Sequence, residues 1–250
     1  MHMIQSETPL PVTPEIIVVG GLASKVTNLL PLVSLGERFG NGDFQSVHGA
    51  HYTESDELVA STPSYQACEL EAIVENSPKT DFLIIAHSIG VLAAVKTAEH
   101  NIDRVKVLAV APTLPDPVSA HQHPHVQSKI QRKNGIDFMP SYSFALGDAG
   151  PSATAPTAKA RVRIPEEYDS EIATYSDSIL PRVIVAASNN RMRIVVPRND
   201  WNKELLRTAH NIPGAIYVDS EHSLQGSPQE IDERTVHIAQ TVASDLKFAL

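Results

Sequence analysis

The stretch that decides the fold is Phe82-Leu83-Ile84-Ile85-Ala86-His87-Ser88-Ile89-Gly90-Val91-Leu92-Ala93-Ala94. Its first five residues form a short, wholly apolar run of the kind expected for a strand buried on both faces. Its last residues are Ala-rich and helix-forming. Between them stands small-x-Ser-x-Gly, with Ala86 and Gly90 two residues either side of Ser88. A chain that reverses sharply at a serine needs small neighbours at those positions. The turn lifts the hydroxyl off the sheet and places it at a helix N-terminus, where free N–H groups favour developing negative charge. This is the strand–turn–helix context of a nucleophilic serine. The plainer reading is that Ser88 only caps the helix that follows, a common use of serine.

The same alternation extends along the chain. Short apolar runs at 15–19, 44–48, 82–86, 105–109, 182–187 and 215–218 read as strands. Stretches at 26–39, 64–74, 89–99, 201–210 and 231–250 read as helices. Alternating strand and helix predicts an α/β domain, with about six mainly parallel strands flanked by helices. One segment, 112–181, breaks the pattern. It is rich in proline and holds the low-complexity run from Gly147 to Pro156. No strand is expected in it, only short helices at 126–133 and 166–175. A structureless loop of this length is unusual inside a compact domain. The segment therefore reads as a cap or lid inserted into a single domain spanning 1–250.

Composition narrows the function. Apolar residues are 42% of the 250, enough for a full core and inconsistent with a disordered chain. With 29 acidic and 20 basic residues the formal charge is -9, which disfavours nucleic acid as a partner. No stretch approaches the roughly 18 apolar residues of a membrane span, so no membrane partner is expected. The first 14 residues lack the basic region and apolar core of an export signal, and Met1-His2 reads as a cloning remnant before Met3. With the single Cys68, this favours a cytoplasmic protein without disulfides.

The Ala-His-Ser-Ile-Gly turn and its flanks resemble the α/β-hydrolase superfamily, in its small serine hydrolase and esterase form. The resemblance covers most of the chain outside 112–181. It implies an oxyanion loop after the first strand, matched here by Val19-Gly20-Gly21-Leu22, so that the backbone N–H groups of Leu22 and Ile89, beside Gly21, would hold an oxyanion. It implies a base in the loop after the last strand, matched by His222. His87, a common family neighbour of the serine, would point away from the hydroxyl. The family also places an acid after the strand preceding the one that carries the histidine. With that strand at 182–187, the position falls on Asn190. An Asn can orient an imidazole but gives its cation no charge stabilisation. Asp116, after the strand at 105–109, is the other candidate. A degenerate site is the third possibility.

The expected function is a serine hydrolase cleaving a small-molecule carboxylic ester or thioester, with no cofactor. Two alternatives stay open: a catalytically degenerate binding module for a small molecule or protein, motivated by Asn190, and non-hydrolytic lyase or oxygenase chemistry on the same fold. His121-Gln122-His123-Pro124-His125 has the composition of a metal tract, yet three histidines bunched in a Pro-rich loop converge poorly on one ion, so no metal is expected. His48 and His51 read as loop histidines near the site's mouth. Lys129, Arg132 and Lys133 form a basic face on the expected helix at 126–133; its default is solvation, its alternative an acidic substrate group. Phe138, Tyr142 and Phe144 serve either a pocket or the core. Oligomeric state is left open.

Overall fold

The computed structural model describes residues 13–145 and 159–248. The expected run Gly147–Pro156 therefore lies outside the described residues. Six strands form the main sheet: β1 (Glu15–Val19), β2 (Gln45–Val47), β5 (Phe82–His87), β6 (Val105–Val110), β10 (Met192–Pro197) and β11 (Ile216–Val218). Their order is β11-β10-β6-β5-β1-β2, and every pairing is parallel. Alternation along each strand sends side chains to two separate cores. Ile16, Val18, Leu83, Ile85 and Val195 face α1 (Leu30–Gly40) and α10 (Pro228–Leu246). Ile17, Val19, Ile84, Ala86 and Ile194 face α2 (Pro63–Asn76), α3 (Val91–His100) and α8 (Ile179–Ser188). Helix α10 starts in a capping box, with Ser227 and Glu230 satisfying each other's backbone N–H groups.

A second sheet, in the order β3-β4-β9-β8-β7, is mostly antiparallel. It joins β3 (Ala50–Tyr52) and β4 (Leu58–Ala60) to β7 (Gln131–Lys133), β8 (Ile136–Ser141) and β9 (Ala160–Arg163). The last three correct the expectation of a strandless 112–181 segment. Gln131–Lys133 is also not the end of a helix: α5 (Pro124–Gln127) stops first. The missed signal is Asn134-Gly135, both at positive φ, a two-residue hairpin turn that pairs Lys133 with Ile136. The rest of the segment carries α4 (Pro117–His121), α6 (Tyr142–Ala145) and α7 (Tyr168–Ser176), the last close to the helix expected at 166–175.

The largest correction is at 182–187. These residues lie in helix α8, not in a strand. Ile179, Val183 and Ala187 are buried at intervals of four, while Val185 is 60% exposed, so the apolar run has helical periodicity. The strand is instead Met192-Arg193-Ile194-Val195-Val196-Pro197, buried throughout. Arg193 disguised it. Its guanidinium pairs with Asp245 at 2.7 Å and donates to the carbonyls of Ala187 and Met192 and to Asn190 Oδ1. A charge this well satisfied can sit in a buried strand. No helix among the described residues is long and apolar enough to cross a membrane.

Candidate active site

Strand β5 delivers its chain into a tight turn at Ser88, whose φ is +55°. That backbone conformation is uncommon for a residue with a side chain and signals local strain held by its surroundings. Close packing explains the neighbours. A Cβ on Gly90 would lie 2.6 Å from the carbonyl oxygen of Gly20, and one on Gly21 would lie 2.9 Å from Ser88 Cβ. The turn after β5 and the loop after β1 are thus pressed together. The β1 loop is itself tied down. Gly20 N–H donates to Val47 O, Ala23 N–H to Gly49 O, and Gln66 Nε2 donates to Gly20 O at 2.9 Å. Gly21, Leu22, Ser88 and Ile89 then share the wall of one cavity of about 150 Å³.

His222 follows β11. Its Nε2 lies 2.9 Å from Ser88 Oγ. Its Nδ1 lies 2.9 Å and 3.1 Å from the two carboxylate oxygens of Asp200, which is fully buried. Asp200 sits in the loop after β10. There the N–H groups of Arg198 and Asn199 reach Val218 O and Ser220 O, so the two loops run together beyond the sheet. Asp200 Oδ1 also accepts from Asn202 N–H at 2.8 Å, and the Asn202 side chain caps α9 (Lys203–Thr208). A serine, an imidazole and a buried carboxylate therefore form one continuous hydrogen-bonded chain, each from a different loop at the carboxyl end of the main sheet.

Neither expected acid is at His222. Asp116 caps α4, its carboxylate taken by the N–H groups of Val118 and Ser119 and by Ser119 Oγ. Those bonds hold its carboxyl below the usual range, the Ser119 hydroxyl contributing most. Asn190, at φ +53°, closes the turn between α8 and β10 and accepts from Arg193. The family's acid position was counted from 182–187, which is helix α8 and not a strand. Counted from Met192–Pro197, it leads to Arg198-Asn199-Asp200 directly.

His87 does more than flank the serine. It lines the same cavity, and its Nε2–H donates to the backbone carbonyl of His222 at 3.1 Å. Its Nδ1 is buried and has no hydrogen-bond partner among the described residues. Burial, with the nearby His222, pushes its pKa down to about 4, so the ring is neutral near pH 7. Trp201 packs against His222 with ring centroids 5.1 Å apart, and His123 and His125 pack against Trp201 in turn.

The histidine-rich stretch divides. His121 is buried, 2.8 Å from Asp169, while His123 and His125 are exposed. Among the described residues no group of three or more His, Cys, Asp or Glu is arranged to hold a metal ion. His48 Nδ1 accepts from Val26 N–H, and His51 stacks on Tyr65 at 3.9 Å, so both serve loop structure. Phe144 is buried edge-on to His48; Tyr142 and Phe138 pack under Lys159 and Arg161. The expected basic face does not exist. Arg132 pairs with Asp137 on the β7–β8 hairpin, whereas Lys129 lines the cavity. Segment 112–181 also gives the cavity Thr113, Ala120, His121, His125, Val126 and Met139.

No family model matches the chain, and no curated protein matches its sequence. Solved structures do match its fold. A pyrethroid hydrolase from Sphingobium faniae JZ-2 shares 14% identity over 92% of this chain and 98% of its own, with a TM-score of 0.60. Est1E of Butyrivibrio proteoclasticus, solved with ferulic acid bound, shares 12% over 95% and 93%, with a TM-score of 0.58. Alpha/beta hydrolase domain-containing protein 10 from mouse shares 13% over 94% and 91%, with a TM-score of 0.56. Together with the six-stranded parallel sheet and its flanking helices, these likenesses establish that the chain has the α/β-hydrolase fold.

Proposed function

We propose that the protein is a serine hydrolase that cleaves a carboxylic ester or thioester through an acyl-enzyme. The observation that carries this reading is the Ser88–His222–Asp200 chain, at 2.9 Å on each side of the imidazole. His222 takes the Ser88 proton as Oγ attacks the carbonyl carbon. The resulting oxyanion falls to the backbone N–H groups of Leu22 and Ile89, held by the packed turns around Gly21 and Gly90. His222 returns the proton to the departing alcohol or thiol. Water, deprotonated by His222, then attacks the acyl carbon and Ser88 is released. Asp200 keeps Nδ1 protonated, so that Nε2 faces Ser88 as an acceptor, and stabilises the imidazolium. No step calls for a cofactor. The described part of 112–181 acts as a cap that shapes the acyl site from Ala120, Val126 and Met139.

The hydrolase names of the structural neighbours are consistent with this reading. The binding-module alternative is motivated by Asn190 as the acid; the Asp200 carboxylate 2.9 Å from His222 Nδ1 supports catalysis over it. The test is covalent labelling by a fluorophosphonate probe, read by intact mass. A single adduct on wild type that is absent from Ser88→Ala is expected. An unlabelled wild type, or an adduct that survives Ser88→Ala, would overturn the proposal.

A further inference from the structure

The cavity at Ser88 has an uneven electrostatic lining. Leu22, Ile89, Ala120, Val126, Met139 and Trp201 make it largely apolar. Of its lining residues among those described, Lys129 is the sole Lys, Arg, Asp or Glu. The carboxylate at His222, Asp200, is fully buried and accepts from His222 Nδ1–H and the N–H of Asn202. Asp169 is engaged with His121, and Asp116 with its own helix. The other cations near Lys129 in sequence are differently placed: Arg132 is paired with Asp137, and Lys133 lies on β7 outside the cavity wall. The backbone N–H of Lys129 donates to Val126 O at 3.0 Å, so one turn presents an apolar and a cationic residue to the same space.

Resting on the serine hydrolase reading, we infer that the substrate is a small ester or thioester carrying an ionised carboxylate, and that Lys129 is the residue that selects it. The chain as a whole carries a formal charge of -9, so its general field repels such a molecule. Selection must come from a local cation, and among the described residues Lys129 is the one on the cavity wall. Burial first, and then the positive charge of Lys129, lower the pKa of the adjacent His125. The cavity of about 150 Å³ has room for a group about the size of benzene beside Ser88. The substrate thus has an apolar stem of a few carbons against Val126 and Met139, and an anionic end at the Lys129 ammonium.

The test compares matched substrates whose only difference is a carboxylate or a carboxamide. One pair places this group on the acyl side, as the p-nitrophenyl monoesters of adipic and adipamic acid. The other places it on the leaving group, as 3-carboxyphenyl and 3-carbamoylphenyl butyrate. For an exposed ammonium, screened by water, a preference of about fivefold in kcat/KM for the carboxylate is expected in at least one pair. Lys129→Met should bring that ratio to about one, Lys129→Arg should keep most of it, and 0.5 M NaCl should erode it. Because the ratio is internal to each variant, it is readable at any residual activity. Absence of preference in both pairs, or a ratio unmoved in Lys129→Met, overturns the inference while fluorophosphonate labelling of Ser88 still upholds the hydrolase reading. Absence of labelling overturns both.

Discussion

Asp200→Asn is the substitution that most directly tests the catalytic chain. The carboxylate receives two donors, His222 Nδ1–H and the N–H of Asn202, and Oδ1 lies within reach of both, at 3.1 Å and 2.8 Å. Asparagine offers one acceptor oxygen where the carboxylate offers two. If that oxygen serves Asn202, the NH2 group faces His222 Nδ1 and forces it to be an acceptor. Nε2 then carries the proton and cannot take one from Ser88. If the oxygen serves His222, the tautomer survives but the charge is gone. At an effective dielectric of about 20 and a separation of about 4 Å, one charge pair is worth about 4 kcal/mol. At about 1.4 kcal/mol per decade, that is a loss of about 10³ in rate, and the tautomer penalty carries it toward the 10⁴ known for this change in another serine hydrolase. The assay is kcat/KM on p-nitrophenyl butyrate, with circular dichroism to verify the fold. A loss of less than tenfold in a folded variant would refute the assignment of Asp200 as the acid.

The remaining predictions concern the supports of the site. His87 is neutral in the fold, with its pKa pushed down to about 4, and its unfolded value is near 6.5. The unfolded chain therefore binds this proton more readily, so its contribution to stability is complete above pH 6.5 and is lost as the pH falls toward 4. By pH 4.5 the loss is about 2–3 kcal/mol; urea unfolding at pH 7 and 4.5 should show a smaller fall in His87→Gln than in wild type, and equal falls would sink the argument. Gly21→Ala puts a Cβ 2.9 Å from Ser88 Cβ, so the oxyanion loop must shift; a drop of about 10²-fold in kcat is expected, as for loss of one oxyanion donor, and unchanged kcat would mean that the loop has slack. Asn190→Asp and Asp116→Ala should each keep kcat/KM within twofold, because neither side chain reaches His222. Asp116→Ala should also cost about 1 kcal/mol in denaturant unfolding through loss of the α4 cap. A large activity loss in either would reinstate that residue as a catalytic candidate.

Much of the molecule was legible from local pattern. The runs at 15–19, 82–86, 105–109 and 215–218 are strands because short, Val- and Ile-rich segments between helices have to be buried on both faces. The turn at Ser88 and the late loop of His222 were readable for the same reason: chemistry there is tied to the ends of strands. The sequence failed where one-dimensional composition opposes three-dimensional context. Apolar 182–187 looks like a strand, yet one of its faces is left to solvent, and only packing against the sheet shows the helix. Met192–Pro197 looks too charged for a central strand, yet Asp245 and three oxygens from the α8–β10 region satisfy Arg193.

That single exchange of helix for strand hides Asp200 and leaves Asp116 and Asn190 as the candidate acids. It also made the site look degenerate. What the sequence by itself determined was the layered α/β order, the serine turn and its histidine, since each follows from periodicity and from residues close together in the chain. What only the tertiary structure decided was which carboxylate meets His222, and that Lys129 parts from Arg132 and Lys133 to face the cavity. Those outcomes depend on contacts between loops that are distant in sequence, and local propensity carries no information about them.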